Sequence, residues 1–346
     1  MKALVKYSLD GPGIEIRDVP EPALRPGTVL VATRAVGVCG SDVHLWRNAH
    51  SWEVTLPVVM GHEIAGEIAG LGEGVIGWSI GDRVVCETAG SICGRCAYCR
   101  SGRYNMCPHR LGYGARHDGF FTEHVVVEPR ILHRIPDSVP FEIAAMTEPF
   151  AVAFNGLVER GNVRPGDHVL IQGAGAIGAL SAQIARLRGA ATITVACTDR
   201  DSLRLEALRG LGVDTIINTQ REDVLAHVAS LGDGLGSDVV VDATGASAAL
   251  RLSLDAVRPG GIIVKVGWGP QPLNFSLDPL VAKAATLLGS FSHTWGTWER
   301  VLALLALGRF DSGAVLGGTY PLGDWEQAFG DMETGRNIKS VMVFGG

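Results

Sequence analysis

The chain has 346 residues, 47% of them apolar and 19% charged, with a formal net charge of -6. This composition is typical of a globular protein large enough for two domains, and the acidic balance argues against nucleic acid as a partner. Seven cysteines, an odd number, favour free or metal-bound thiols in a reducing, cytoplasmic setting over disulfides. The first residues lack the apolar core of a signal peptide, and no apolar run reaches membrane length. We therefore expect a cytoplasmic protein with a small-molecule partner and no membrane partner.

The first part of the chain, up to about residue 150, consists of short apolar runs broken by Gly, Pro and Asp. Examples are "TVLVATRAVGV", "HEIAGEIAGLG" and "FTEHVVVEP". Runs of this length and alternation predict an irregular, mostly antiparallel β domain.

This part also contains a dispersed set of metal-ligand types. Its members are Cys39, Ser41, Asp42 and His44 in "GVCGSDVH", His62 and Glu63 in "GHEIAGE", and Glu148 in "TEPFAVAFNG". A thiolate, an imidazole and one or two carboxylates can bind zinc and leave room for water or substrate. Each residue taken alone has an ordinary alternative: a buried cysteine, a core histidine or surface acids.

The densest signal is the stretch "CGRCAYCRSGRYNMC". Cys93, Cys96, Cys99 and Cys107 are spaced C-x2-C-x2-C-x7-C. Four thiolates at such spacing close a tetrahedral shell around zinc, with an iron-sulfur cluster or free thiols as the alternatives. A shell of four protein ligands has no open position, so we expect this site to be structural.

From about residue 165 the runs become continuous apolar strands, as in "DHVLIQG", "TITVACTD" and "DVVVDATG", with helical stretches between the first of them. Strands that are apolar on both faces and alternate with helices predict a parallel sheet covered on both sides. The last segment reads as a helix followed by shorter strands, and the pattern alone does not decide which domain it joins.

Gly173, Gly175 and Gly178 have G-x-G-x-x-G spacing between a strand and a helix. This spacing predicts a dinucleotide site in which the helix N-terminus faces the phosphates, with a purely structural turn as the alternative. Asp199, 21 residues after Gly178, is expected to end the next strand and accept hydrogen bonds from a ribose. Its carboxylate favours NAD over NADP, although Arg200 and Arg204 keep NADP open.

The order of "GHEIAGEIAGLGEGV", "GDRVV", the four-cysteine loop and "GAGAIG" resembles the zinc-dependent medium-chain dehydrogenase/reductase superfamily, the alcohol dehydrogenase class. The stretch "TEPFAVAFNG" is most similar to the sorbitol (polyol) and threonine dehydrogenase branch. The resemblance implies an α/β fold, with a Rossmann doubly wound parallel sheet domain and a GroES-like, mostly antiparallel β catalytic domain. It further implies a catalytic domain over 1–152, an NAD(P)-binding domain over 153–291 and a return to the catalytic domain over 292–346.

The resemblance also implies roles for individual residues. It implies two zinc ions per chain: a structural one in the four-cysteine loop and a catalytic one bound by Cys39, His62 and Glu63, with Glu148 a direct ligand or a partner through water. Asp42 would orient His62, and Ser41 and His44 would relay the substrate proton. The nicotinamide pocket would be lined by Ile177, Val266, Gly267, Trp268, Ser290 and Phe291, with Arg204 on the adenosine side. The last sheet strand would pair with a second copy in a homodimer or homotetramer.

The function expected from these residues is hydride transfer from a secondary alcohol, a polyol or sugar derivative, to NAD+, forming a ketone. An amino alcohol such as threonine is the close alternative. A zinc-free reductase of the same fold would have no need of Cys39 and His62, and a non-enzymatic sensor would have no need of a relay. The segments "LWRNAHSWEVTLP" and "SHTWGTW" are expected to set specificity. The tryptophans there, Trp46, Trp52, Trp295 and Trp298, either wall the pocket or pack between domains.

Overall fold

The computed structural model describes residues 1–345, so only the last residue of the predicted segment 292–346 lies outside the described residues. The strands are β1 (Lys2–Lys6), β2 (Ile14–Asp18), β3 (Val29–Gly37), β4 (Val58–Val59), β5 (Glu63–Leu71), β6 (Arg83–Cys86), β7 (Ala89–Ser91), β8 (Leu111–Gly112), β9 (His124–Val127), β10 (Leu132–Arg134), β11 (His168–Gln172), β12 (Thr192–Cys197), β13 (Thr215–Asn218), β14 (Ser237–Asp242), β15 (Val257–Lys265), β16 (Thr286–Gly289), β17 (Leu316–Pro321) and β18 (Lys339–Val343).

The helices are α1 (Gly40–Trp46), α2 (Ala97–Arg100), α3 (Phe141–Ala144), α4 (Thr147–Phe154), α5 (Ala176–Leu187), α6 (Leu205–Gly210), α7 (Val224–Ala229), α8 (Ser247–Ala256), α9 (Asp278–Ala282), α10 (Trp295–Ala306), α11 (Ser312–Val315) and α12 (Trp325–Glu333). A π-helical segment, Asn155–Arg160, continues α4. Within residues 1–345, no helix has the length and apolar character needed to cross a membrane.

The six strands β11 to β16 form a parallel sheet in the order β13-β12-β11-β14-β15-β16. Their middle residues are buried because helices cover both faces, as the continuous apolar runs predict. This is the doubly wound order, and its direction reverses between β11 and β14. Ligands bind at the carboxyl end of such a sheet, beside the point of reversal.

A second, mixed sheet has the order β10-β6-β5-β3-β18-β17, with β9 also paired to β3. All of its pairs are antiparallel except β17 with β18. The last strand, β18, therefore pairs with β3 from the first part of the chain. Smaller sheets, β2-β1-β4 and β7-β8, complete this half of the molecule.

Helix α4 lies between the two large sheets and packs against α5 and α10. One apolar cluster includes Ala65 of the mixed sheet, Phe150 of α4 and Val169 of the parallel sheet. The two halves thus share a core at this helix. The predicted boundary after residue 152 falls inside α4, and the boundary after residue 291 falls just beyond β16.

Candidate active site

A cavity of about 730 Å³ opens at the carboxyl end of the parallel sheet, where the mixed sheet faces it. Twelve of the predicted site residues line it: Cys39, Ser41, Asp42, His44, His62, Glu148, Ile177, Val266, Gly267, Trp268, Ser290 and Phe291. Residues that are far apart in the chain and were assigned to metal, relay and nicotinamide roles therefore meet in one space.

The pairing of β3 with β5 brings the metal-ligand types together. Gly37 lies opposite Glu63 in this antiparallel register, so Cys39 follows the end of one strand while His62 precedes the start of the other. Cys39, His62 and Glu63 each offer a ligand atom, and these atoms lie within 4.8 Å of one another. A Cβ on Gly37 would fall 2.0 Å from Glu63 Oε2, so a side chain here would push the carboxylate away from its present position.

The electrostatics of this group favour a cation. Burial opposes the charged form of His62, but the charges of Cys39, Asp42 and Glu148 outweigh it and raise the pKa of His62 well above its usual value. Glu63 is fully buried, and its Oε1 has no hydrogen-bond partner. A partly buried thiol and imidazole and a buried, unpaired carboxylate oxygen lie close together, and they suit zinc in both ligand type and separation.

Lys339 supplies a counter-charge that the sequence motifs did not indicate. Its Nζ lies 2.5 Å from Glu63 Oε2, and both side chains are buried. Burial lowers the pKa of Lys339, but the charges of Glu63 and Cys39 outweigh burial and raise it. Lys339 begins β18, whose pairing with β3 (Val341 opposite Gly37) places it beside the site. The sequence feature that could have indicated Lys339 is its position as a lysine at the start of a largely apolar strand, "KSVMV".

Asp42 contacts Cys39 more closely than it contacts His62. The backbone N–H of Cys39 donates to Asp42 Oδ2 at 2.8 Å, at the start of α1. Asp42 Oδ1 lies 3.9 Å from His62 Nδ1, beyond hydrogen-bond distance, and has no hydrogen-bond partner. In this structure Asp42 fixes the turn that presents Cys39, and it acts on His62 through charge.

Glu148, in the first turn of α4, is held by a histidine that the sequence analysis missed. Trp298 Nε1 donates to His293 Nδ1 at 2.5 Å, and His293 Nε2 lies 3.1 Å from Glu148 Oε1. Because an indole N–H can only donate, Nδ1 accepts and Nε2 carries the proton donated to Glu148. Burial alone would raise the pKa of Glu148, but the hydrogen bond from His293 and the charges of His62 and Lys339 lower it.

Ser41 and His44 both lie on α1 and line the cavity. His44 is half-buried and meets the ring of Trp52 edge to face, with the ring centroids 6.4 Å apart. Burial lowers the pKa of His44, so its imidazole is neutral at pH 7 and able to accept a proton.

The glycine turn joins β11 to α5. Gly173 has φ +105°, a conformation that favours glycine, and a Cβ on Gly178 would fall 1.9 Å from the carbonyl oxygen of Gly173. Gly175 is the N-cap residue of α5, and Arg204 Nη1 lies 3.5 Å from the position of a Cβ there. The N-terminus of α5 therefore lies close to the end of β11, with the Arg204 guanidinium beside it. This arrangement is suited to binding a pyrophosphate.

Asp199 lies slightly beyond its predicted position. Strand β12 ends at Cys197, and Asp199 begins a 3-10 turn, because Thr198 caps that turn through its hydrogen bond to Asp201. Asn218 Nδ2 donates to Asp199 Oδ1 at 2.7 Å, and Arg221 pairs with the same oxygen at 2.8 Å. These two contacts lower the pKa of the Asp199 carboxyl, so the group is ionised.

The four clustered cysteines lie in a lobe around α2, away from the cavity lining. Their Sγ atoms lie within 4.8 Å of one another, and all seven cysteines of the chain are free thiols. Backbone N–H groups of Arg95 and Cys96 lower the pKa of Cys93 to about 6, whereas burial and the neighbouring thiols raise that of Cys99 to about 12. The four thiols ionise together only around a cation, and the cluster fits a structural zinc.

The tryptophans of the two specificity segments divide between the two expected roles. Trp52 lines the cavity, as does Trp268, and their ring centroids lie 5.8 Å apart. Trp46 packs instead against Trp325 of α12, and Trp298 is buried. Trp295 is half-exposed and packs beside His133.

A doubly wound sheet with a glycine turn, facing a cysteine and histidine group suited to zinc, defines a metal-dependent dehydrogenase of the dinucleotide-binding class. Comparison with known protein families agrees. Residues 25–137 match the alcohol dehydrogenase GroES-like domain, and residues 176–306 match the zinc-binding dehydrogenase family.

Curated relatives match along the whole chain. Sorbitol dehydrogenase of Halalkalibacterium halodurans is 36% identical over 344 residues, covering 99% of each chain. D-arabitol-phosphate dehydrogenase of Enterococcus avium is 33% identical, covering 99% of this chain and 97% of the relative. L-threonine 3-dehydrogenase of Escherichia fergusonii is also 33% identical, covering 99% of each.

Two solved structures have similar folds over 99% of each chain. A Sinorhizobium meliloti protein bound to NADP and an Escherichia coli alcohol dehydrogenase complexed with NADH each give a TM-score of 0.89 at 27% identity. The chain belongs to the zinc-dependent medium-chain alcohol dehydrogenase family, with a GroES-like domain and a Rossmann domain. It is an NAD(P)-dependent oxidoreductase acting on CH–OH groups, and its cofactors are zinc and NAD(P).

Proposed function

We propose that this enzyme oxidises a secondary alcohol of a polyol or sugar derivative to the ketone, with NAD+ as the hydride acceptor. One observation carries the proposal. The candidate zinc ligands Cys39 and His62 and the relay residue Ser41 line a single cavity. The expected nicotinamide contacts Ile177 and Trp268 line the same cavity. The names of the sorbitol and arabitol-phosphate dehydrogenase relatives support the substrate class.

Cys39, His62 and Glu63 would hold the catalytic zinc, with Glu148 as a further ligand or a partner through water. Zinc bound there supplies a Lewis acid that lowers the pKa of a substrate hydroxyl. Lys339 holds one oxygen of Glu63, and His293 holds one oxygen of Glu148. Both carboxylates are thereby fixed in orientation before substrate enters.

Ser41 would accept the substrate proton and pass it, by way of the nicotinamide ribose, to His44. The neutral state of His44, which follows from its burial, leaves a ring nitrogen free to take that proton. His44 and Ser41 lie within one turn of α1, so one helix positions both residues of the proposed relay.

The glycine turn would bind the pyrophosphate at the N-terminus of α5, and Arg204 would lie on the adenosine side of the coenzyme. The ionised Asp199 would accept hydrogen bonds from the ribose and repel a 2′-phosphate, which favours NAD over NADP. Arg221 partly offsets this repulsion because it already pairs with Asp199.

The four thiolates of the cysteine lobe would bind the structural zinc. The two predicted domains would lie on either side of the cavity and share helix α4.

Strand β16 has a partner on one side only in the parallel sheet. We propose that β16 pairs with β16 of a second copy, giving a homodimer or homotetramer, which light scattering after size-exclusion chromatography measures.

A substrate panel tests the proposed function. Sorbitol, xylitol, galactitol and L-threonine are each offered with NAD and with NADP, and coenzyme reduction is measured. We expect turnover of a polyol with NAD. Turnover of threonine alone would replace this proposal with the amino alcohol alternative.

A variant pair tests the metal assignment. Cys39→Ala should abolish turnover and lower the zinc content from two ions per chain to one. Cys86→Ala is the matched control, because Cys86 is also a cysteine but is buried in β6, outside both clusters. Full activity of a folded Cys39→Ala variant would contradict the assignment.

A further inference from the structure

Arg110 is a cation within the cavity that neither the metal site nor the proton path uses. It follows the cysteine lobe and lines the same space as Cys39 and His62. One side of its guanidinium is held, because Nη2 donates to Thr88 Oγ1 at 2.8 Å. Its Nε is buried and has no hydrogen-bond partner. The guanidinium carbon lies over the ring of Phe291, 5.3 Å from the centroid, which fixes its position further.

The charge of Arg110 has no close counter-ion. Among residues 1–345, the ion pairs within 4.0 Å do not include it. The acids that line the cavity have other partners: Asp42 accepts from the backbone of Cys39, Glu148 accepts from His293, and Glu53 pairs with Arg116 at 3.4 Å. Burial lowers the pKa of Arg110, with the more distant Glu148 and Glu87 acting against it. An arginine remains charged in either case.

A partly buried cation without a counter-ion, with its Nε atom buried and unpaired, is costly, and the cost is reduced when a ligand brings the opposite charge. The guanidinium also presents a planar set of donors that matches the oxygens of a phosphate or carboxylate. Neutral hydroxyl groups make weaker hydrogen bonds to the same donors. The site is therefore better matched by an anionic substrate than by a plain polyol.

We infer that the substrate of this enzyme carries an anionic group, a phosphate ester or a carboxylate, and that Arg110 binds it at the end of the cavity. This inference rests on the proposed function, because it concerns the alcohol that the same cavity oxidises. It narrows the substrate class from polyols in general to phosphorylated polyols and sugar acids, and it makes Arg110 a specificity-determining residue.

Matched substrate pairs test the inference. Sorbitol is compared with sorbitol 6-phosphate for the phosphate arm, and sorbitol with gluconate for the carboxylate arm, at saturating NAD. We expect kcat/KM to be at least about 10-fold higher for one anionic member than for sorbitol, as a charge-assisted hydrogen bond provides. The arm with the larger ratio identifies the anion.

The variant Arg110→Gln keeps an amide donor but removes the charge. We expect the ratio of kcat/KM for the anionic over the neutral substrate to fall by about 10- to 100-fold. Arg103→Gln is the matched control, since Arg103 is exposed in the same lobe and stacks on Tyr98. An unchanged ratio in Arg110→Gln, or a wild-type preference for sorbitol, would overturn the inference.

A binding measurement separates this inference from the proposed function. If no alcohol is oxidised, the proposed function fails. Binding of sorbitol 6-phosphate and of gluconate to the NADH-loaded enzyme, measured by calorimetry for wild type and Arg110→Gln, then tests Arg110 by itself. Weaker binding of either anion to the variant supports the inference, and equal binding of both overturns it. Circular dichroism and zinc content show whether the variant is folded.

Discussion

The turn between β11 and α5 allows one prediction to be worked from the geometry. A Cβ on Gly178 would lie 1.9 Å from the carbonyl oxygen of Gly173 and 3.0 Å from its carbon. Side-chain carbons do not approach other atoms within 3.0 Å, so Gly178→Ala has to move the first turn of α5 away from the strand by about 1.1 Å, the difference between 3.0 and 1.9 Å. The neighbour is backbone, which cannot rotate aside.

The effect on stability should be small, because two contributions oppose each other. Alanine in place of glycine stabilises a helix by about 1 kcal/mol, whereas overpacking costs about 1–3 kcal/mol. The net loss is then about 2 kcal/mol or less. For a domain of this size such a loss lowers Tm by about 4–8 °C at most.

The effect on coenzyme binding should be larger. The displaced N–H groups at the start of α5 no longer reach the pyrophosphate. Losing one hydrogen bond to a charged group costs about 1.5–3 kcal/mol, which raises Kd about 10- to 100-fold.

Fluorescence titration with NADH measures the Kd, and scanning calorimetry measures Tm. Gly210→Ala is the matched control, because Gly210 also lies in a helix of the parallel-sheet half and a Cβ there meets nothing within 4 Å. We expect this control to bind NADH like wild type and to be equally or more stable. A Gly178→Ala variant that binds NADH as tightly as wild type would refute the argument that this close approach positions the phosphate site.

Three further predictions concern the zinc sites and the relay. When the catalytic site holds no zinc, Lys339→Met leaves Glu63 buried without its counter-charge, so it should destabilise the protein by about 3–5 kcal/mol, and adding Glu63→Gln should restore much of the loss. Thermal unfolding of samples whose zinc content has been measured checks this prediction. Equal stability of Lys339→Met and of the double variant with Glu63→Gln would contradict it. Cys96→Ser should release one zinc per chain and make the loop 93–107 sensitive to protease while NADH still binds, and retention of both zinc ions would contradict a structural site. Because burial lowers the pKa of His44, kcat/KM should fall only as the pH drops below the ordinary histidine value of about 6.5. His44→Gln should remove this acidic limb, and a limb that persists would assign it to another group.

Local patterns in the sequence predicted most of the fold. The continuous apolar strands separated by helices indicated the parallel sheet, and the glycine spacing located the turn at Gly173 and Gly178, because both features depend on neighbours in the chain. The resemblance to the medium-chain dehydrogenases supplied the second domain class, which the family matches confirm. The end of β12 was misplaced by two residues because the capping hydrogen bond of Thr198 is a side-chain effect that the apolar pattern does not report.

Local sequence patterns could not predict which distant residues contact the candidate ligands or lie beside them in the cavity. Lys339, His293 and Arg110 come from distant segments, and each acquires its role only through packing. Nothing in the spacing of Lys339 indicates Glu63, since their contact depends on β18 and β5 lying on either side of β3. His293 stood in the segment "SHTWGTW", where the tryptophans drew attention and the histidine did not.

The position of β18 has a consequence for the synthesis of the protein. The ribosome produces β3 and β5 early, but β18, which pairs with β3 and neutralises Glu63, is made after every other strand of the described residues. Until then Ala35–Gly37 of β3 lack a strand partner on the side opposite β5, and the candidate zinc ligands include a carboxylate without a counter-charge. Contacts between such distant parts of a chain form slowly. The catalytic half therefore cannot be completed until a strand that follows the whole parallel sheet in the chain has been made, and because Val341 of that strand belongs to the core shared with Val169, its loss would affect both halves.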